Sequence, residues 1–231
     1  MAAAKATVGP AKMSSEEAAP EGGGLGFERL VFFSDAVFAI AITVLVLDLR
    51  PTEVVAGGVV NWPLLVSKLA GFGLSFYVIG RYWRAHHALF ETVRTYDSAL
   101  ISVNLAFLAC IAFVPFPTGI VIDAPATRGP VLLYVGSLLS LSLAMTALVL
   151  SARRPRLLKP GETSGGTVAA VLGAAGSALV FLVACGLCLA DPRLALWSLL
   201  LLVPAGLVAS RLGAAAEARA TAAVRDDHAR S

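Results

Sequence analysis

The sequence predicts an all-α, polytopic membrane protein with six transmembrane helices. Three observations carry that reading. Of 231 residues, 58% are hydrophobic and only 14% charged, with a mean hydropathy of +0.81. A soluble domain of this length needs far more polar surface. Six apolar segments reach the roughly 20 residues that span a bilayer. Lys and Arg are also segregated among the connections between them.

Residues 1–26 are rich in Ala, Gly, Glu and Pro and lack apolar periodicity, so a disordered tail is expected there. No apolar core precedes Leu30, which argues against a secretory signal. The membrane domain is expected over 27–213, with spans near 30–49, 62–83, 98–120, 130–150, 167–190 and 194–212, and a second tail over 214–231. Breakers separate the spans: Arg50-Pro51, Gly57-Gly58, Asp123 to Pro130, Arg153 to Gly166, and Asp191-Pro192. Pro115 and Pro117 predict a kink or helix end within span three. Span four carries no polar feature beyond Ser and Thr, and is expected to face lipid or fill the bundle. Ala169, Gly173 and Ser177 recur every four residues in span five, a stripe suited to close helix contact.

With the N-terminus inside, fourteen Lys and Arg fall on the inner side against Arg50, Arg128 and Arg193 outside. Lys68, within span two, is expected to snorkel outward. This bias places both termini in the cytoplasm and makes the protein a multi-pass component of the cell membrane. The membrane lipid is therefore an obligatory partner.

Span one is the unusual segment. It runs from Arg29 to Asp48 and carries Arg29 and Asp35 near one end. Ionisable groups at such depth are costly and tend to face a protein interior or a water-filled path. Arg29 and Asp35 are six residues apart and point about 120° away from each other, so each should find partners elsewhere. Span two offers Arg81, Tyr82, Trp83, Arg84, His86 and His87 at the matching depth, and span three offers Asn104. A polar cluster joining spans one, two and three follows. It is expected to position span one rather than to handle a substrate. Phe33, Val37, Ile40, Val44 and Leu47 line one face of span one, with Thr43 beside them. Periodicity alone leaves two readings of this stripe: a lipid or core contact, or the apolar wall of a pore that gates by dewetting.

Several function classes find no support. His86 and His87 diverge by about 100° on a helix and cannot easily share one ion, so no metal site is predicted. Cys185 and Cys188 have redox spacing without a βαβ context and read as small residues in an apolar run. There is no phosphate loop, dinucleotide fingerprint or nucleophile elbow, so neither an enzyme nor a cofactor is expected, and nothing suggests nucleic acid. Arg153-Arg154-Pro155-Arg156 reads as a topology signal and an anionic-lipid contact. Spans four to six lack the polar residues of spans one to three, which argues against an inverted-repeat transporter.

Arg29-x-x-x-Phe33-Ser34-Asp35 followed by Ala-Val-Phe-Ala-Ile-Ala-Ile-Thr43 resembles the signature of the transmembrane protein 175 family of potassium channels. The likeness extends through Tyr82-Trp83-Arg-Ala-His86-His87-Ala-Leu-Phe90, Asp97, Asn104-Leu-Ala-Phe-Leu and Pro115-Phe116-Pro117-Thr118. One six-span unit is present, as in the bacterial form. The resemblance implies a homotetramer with four copies of span one around a central pore. It implies a constriction at Ile40, Val44 and Leu47, and a selectivity role for Thr43. Arg29, Phe33, Ser34, Asp35, Trp83, His86, His87 and Asn104 match the structural motif that holds span one. The implied activity is passive conduction of K+, with other monovalent cations less favoured and no Thr-Val-Gly-Tyr-Gly filter. The competing readings are a proton-coupled secondary transporter using Asp35 with His86 and His87, and a structural membrane subunit.

Overall fold

A computed structural model describes residues 22–56, 58–160 and 164–202. Helix α1 (Gly22–Val44) continues through a 3₁₀ turn (Leu45–Asp48) into the short α2 (Pro51–Val54). A two-residue antiparallel hairpin, β1 (Val55–Ala56) and β2 (Val59–Val60), leads to α3 (Trp62–Glu91). Span three is two helices, α4 (Ser98–Phe113) and α5 (Pro115–Asp123). Then come α6 (Arg128–Ala152), α7 (Ser164–Ala190) and α8 (Pro192–Ser198), which ends in a second 3₁₀ turn (Leu199–Leu201). Among the described residues, five helical stretches are long and apolar enough to cross a membrane: Leu25–Val54, Trp62–Glu91, Ser98–Asp123, Arg128–Ala152 and Ala170–Ala190. The expected sixth span is seen as the apolar helix Pro192–Leu201. Its remainder, together with residues 1–21 and 214–231, lies outside the described residues.

Local chemistry accounts for the helix ends. Asn61, Asp97 and Asp191 each accept a backbone N–H at a helix start, from Leu64 (3.2 Å), Leu100 (2.8 Å) and Arg193 (2.8 Å) respectively. Pro63 and Pro192 follow two of these caps, where a missing N–H costs nothing. The chain breaks at Val114 because Pro115 and Pro117 cannot supply donors to the helix, as the sequence predicted. Gly58 turns the hairpin with φ +79°.

Helix α1 starts at Gly22, inside the expected tail, and α3 runs on to Glu91, eight residues past the predicted end. Both extensions have one cause. The Phe27 ring stacks on Phe90 at the far end of α3 and on Tyr96 beyond it. A Cβ at Gly26 would collide with the Tyr96 hydroxyl, so glycine is what lets the two chains approach there.

Helix α6 fills the centre of the bundle, packed against α4, α5, α7 and α8. Val131, Tyr134, Val135, Leu138, Leu141 and Leu148 are all buried, on more than one face. The stripe on α7 works differently from the expectation. A Cβ on Gly173 would meet nothing within 4 Å. Ser177 instead accepts a hydrogen bond from Arg81 on α3 (2.9 Å). Ala169 lies where side chains are not described.

The basic loop after α6 has a specific partner. Asp97 pairs with Arg154 (3.2 Å) and Arg156 (2.8 Å), while the backbone joins Arg94 N–H to the Leu157 carbonyl and Lys159 N–H to that of Thr92. The Leu100 N–H, and then the two arginines, hold the Asp97 carboxyl below its ordinary value of 3.8. A depressed folded value means that the stabilisation is complete above that ordinary value and is lost as pH falls through the folded one. Thermal stability should therefore drop below about pH 4 in wild type. Asp97→Ala should flatten that acid limb and lower the midpoint at neutral pH. Asp97→Asn, which keeps a capping oxygen, should fall between the two. Melting curves across pH check this.

Candidate functional site

Two sets of polar contacts hold span one: the first ties α1 itself, and the second lies just beyond its outer end. At the first, Ser34, Asn104 and His86 are buried within 1% of full enclosure and form one chain. Ser34 Oγ donates to the Leu30 carbonyl (2.9 Å), Asn104 Nδ2 donates to Ser34 Oγ (3.0 Å), and His86 Nε2 lies 2.9 Å from Asn104 Oδ1. Because Asn104 spends its amide N–H on Ser34, its Oδ1 is an acceptor, and the His86 Nε2 must carry the proton. The imidazole stacks between Phe90 (4.3 Å) and Phe107 (5.7 Å), with Phe38 at its edge. Asp35 stands beside this chain, not in it: its Oδ1 accepts the Trp83 indole N–H at 2.9 Å. His87 points elsewhere, stacked on Trp83 and 3.3 Å from Glu91.

The structure thus brings Ser34, Asp35, Trp83, His86 and Asn104 together from α1, α3 and α4, the three spans that depth matching joined. Arg29 is exposed and has no side-chain partner among the described residues, and Phe33 is exposed on the opposite side of α1. Asn104→Ala should cost about 1–3 kcal/mol, because it strands the buried His86 N–H while Ser34 keeps its bond to Leu30. Asn104→Asp, which retains an acceptor for His86, should recover part of that loss in thermal unfolding.

The second anchor was not visible in the sequence. Lys68 does not snorkel outward; its side chain is 3% exposed and its ammonium lies 2.6 Å from Glu53 and 2.9 Å from Asp123. The physical reason is that α2 and the end of α5 fold over it, so carboxylates replace water as its solvation. Beside it, Asp48 at the end of the 3₁₀ turn presses on α5. A Cβ at Gly119 would sit 2.9 Å from Asp48 Oδ1, so a glycine is what admits the carboxylate.

Between the anchors, α1 has two faces. Ser34, Phe38, Ala41 and Leu45 are buried against α3 and α4. Ile40 (63%), Val44 (38%) and Leu47 (70%) are exposed on the other side, with Thr43 among them. The Thr43 hydroxyl donates back to the helix, at 3.0 Å from the Ala39 carbonyl and 2.9 Å from that of Ile40, leaving its oxygen lone pairs outward. Among the described residues, no group of three His, Cys, Asp or Glu side chains is placed to hold a metal ion, and Cys110, Cys185 and Cys188 are free thiols.

Residues 29–115 match the family described as the endosomal/lysosomal potassium channel TMEM175. A potassium channel of Streptomyces collinus is 41% identical over 101 residues, covering 41% of this chain and 47% of that protein. The human endosomal/lysosomal proton channel TMEM175 is 27% identical over 137 residues, 58% of this chain and 27% of that one. The chain spans between 47% and 66% of the length of the bacterial relatives it matches. The crystal structure of a lysosomal potassium-selective channel TMEM175 homologue from Chamaesiphon minutus superposes with a TM-score of 0.67 at 28% identity, over 80% of this chain and 98% of that one. The matched segment contains both the Ser34–Asn104–His86 chain and the exposed face of α1. The chain is a multi-pass, all-α membrane protein whose residues 29–115 match the TMEM175 family.

Proposed function

We propose that this protein is a passive potassium channel, in which four copies of α1 surround a central pore. The observation that carries the reading is the pairing of opposite faces on α1. One face is buried against α3 and α4 and tied to them through Ser34 and Asp35, and the other offers an apolar stripe with a single hydroxyl. A helix that only touched lipid would need no such anchoring. A helix whose copies enclose an ion path must be held rigidly, because small shifts change the bore. The names of the bacterial relatives and of the Chamaesiphon structure support potassium as the permeant ion.

In this reading Ile40, Val44 and Leu47 form successive apolar rings, and Ile40 is the narrowest. It lies eleven residues from Arg29, roughly 16 Å along the helix and near mid-membrane. Thr43 presents oxygen lone pairs between those rings and offers a partly dehydrated cation its only side-chain ligand there. The protein sits in the plasma membrane with both termini cytoplasmic, as the positive charges favour.

The transporter alternative requires Asp35, His86 and His87 to hand protons along. The contacts run otherwise: Asp35 bonds Trp83, His86 bonds Asn104, and His87 faces Glu91. The test is the purified protein in a planar bilayer. Unitary currents whose reversal follows the potassium gradient, from a protein that native mass spectrometry weighs as a tetramer, are expected. A saturable, proton-coupled flux without unitary currents, or a monomer or dimer, would overturn the proposal.

A further inference from the structure

A cavity of about 550 Å³ lies between α3, α5, α6 and α8, away from the exposed face of α1. That is within the roughly 300–1,000 Å³ of ordinary ligand pockets. Its walls are mostly apolar: Ala70 and Leu74 of α3, Val121 and Ile122 of α5, and Leu196 and Trp197 of α8, with the Ser67 hydroxyl of α3 also on the lining. Trp197 and Ala70 are exposed, so the cavity opens sideways between α3 and α8, where the surroundings of a membrane protein are lipid.

The floor carries hydroxyls, and their hydrogen bonds can be followed to the end. Thr118 donates to the Val114 carbonyl (2.8 Å), which leaves its oxygen to accept from Ser75 (3.0 Å). Ser75, its proton spent, accepts in turn from Tyr134 (3.0 Å). Each of the three hydroxyls has one proton, and all three are used. The floor therefore has no donor left for a polar ligand. The rim is different. Arg193 lines it, and its guanidinium makes no ion pair among the described residues. Two acids at this end of the bundle have other partners. Asp123 holds Lys68, and Asp191 caps α8 through the Arg193 backbone N–H. Arg193 also sits at the end of the bundle where Lys68 and Asp123 lie, the depth at which a bilayer changes from hydrocarbon to headgroups.

We propose that this cavity binds one acyl chain of an anionic phospholipid, with the lipid phosphate on Arg193. A mostly apolar wall, a floor without donors and a guanidinium at the mouth with no ion pair among the described residues match a single tail beneath a phosphate. Arginine meets a phosphate through two parallel N–H donors, which fixes the headgroup and not only its charge.

Native mass spectrometry of the delipidated, detergent-purified protein, given phosphatidylglycerol or phosphatidylcholine of the same chains, tests this. Wild type should retain phosphatidylglycerol in preference. Arg193→Gln should weaken that retention roughly tenfold, to the phosphatidylcholine level. Ala70→Phe, which fills the cavity from an exposed wall position, should abolish retention with the oligomer mass and melting temperature unchanged. Equal retention of the two lipids by wild type would overturn the proposal, as would retention by both variants at the wild-type level. A change of oligomer mass in Ala70→Phe would also overturn it, by showing that a second copy of the chain seats in the cavity.

Discussion

Ile40→Asn is expected to raise single-channel potassium conductance severalfold and to lower the preference for potassium over sodium. Four isoleucines converging at mid-membrane leave a neck that water avoids, so an ion must shed much of its hydration without polar replacement. Asparagine is similar in length and offers an oxygen and an amide, which wets the neck and removes that barrier. The preference falls with it, because a hydrated path discriminates less between ions of equal charge. Folding of the single chain should be unaffected, since Ile40 is 63% exposed there and makes no part of its buried core. Thr43→Ala should behave differently. It removes the only side-chain oxygen on this face and should change the reversal potential in a potassium/sodium gradient more than the open probability. Currents in symmetric potassium and under that gradient separate the two variants.

The double substitution Glu53→Gln with Asp123→Asn is expected to destabilise the fold by about 3–5 kcal/mol, the cost of leaving a buried charge without its partners. Lys68 is enclosed, and these two carboxylates are its solvation. Lys68→Met should be far milder than the double variant. It removes the charge that needs solvating and leaves Glu53 and Asp123 partly exposed, free to rehydrate. The order matters more than either value: if removing Lys68 is the more damaging change, the carboxylates are the buried partners and the outer anchor works in reverse. Chemical denaturation in mild detergent measures all three proteins on one scale.

Much of this molecule was legible in its sequence, and for identifiable reasons. Span positions follow from apolar length alone, and the break at Pro115 follows from a missing donor. The inner cluster was legible in part: depth matching offered Arg81, Tyr82, Trp83, Arg84, His86, His87 and Asn104, of which Trp83, His86 and Asn104 join Ser34 and Asp35 while Arg81 turns to Ser177. What that argument could not divide was the pairing. Asp35 takes the indole and Ser34 the amide, while Phe38, Phe90 and Phe107 close around His86. Arg29, from the same motif, is left outside. The outer anchor escaped notice because Lys68 meets residues fifteen and fifty-five positions away, across a hairpin turned by Gly58 that periodicity does not reveal. The early start of α1 and the late end of α3 likewise depend on each other, through Phe27, Phe90 and Tyr96, and neither helix alone contains the signal.

The central claim, that copies of α1 line a water-filled path, is tested most directly by silver block. Silver ions are close to potassium in size and bind thiolates tightly. In a chain whose Cys110, Cys185 and Cys188 are replaced by alanine, cysteine is placed at Ile40, at Leu47, or at Leu69 on the outer surface of α3. The account predicts that silver abolishes the potassium current through the Ile40→Cys and Leu47→Cys proteins and spares Leu69→Cys. Current that persists unchanged at both α1 positions would place that face against lipid and contradict the pore.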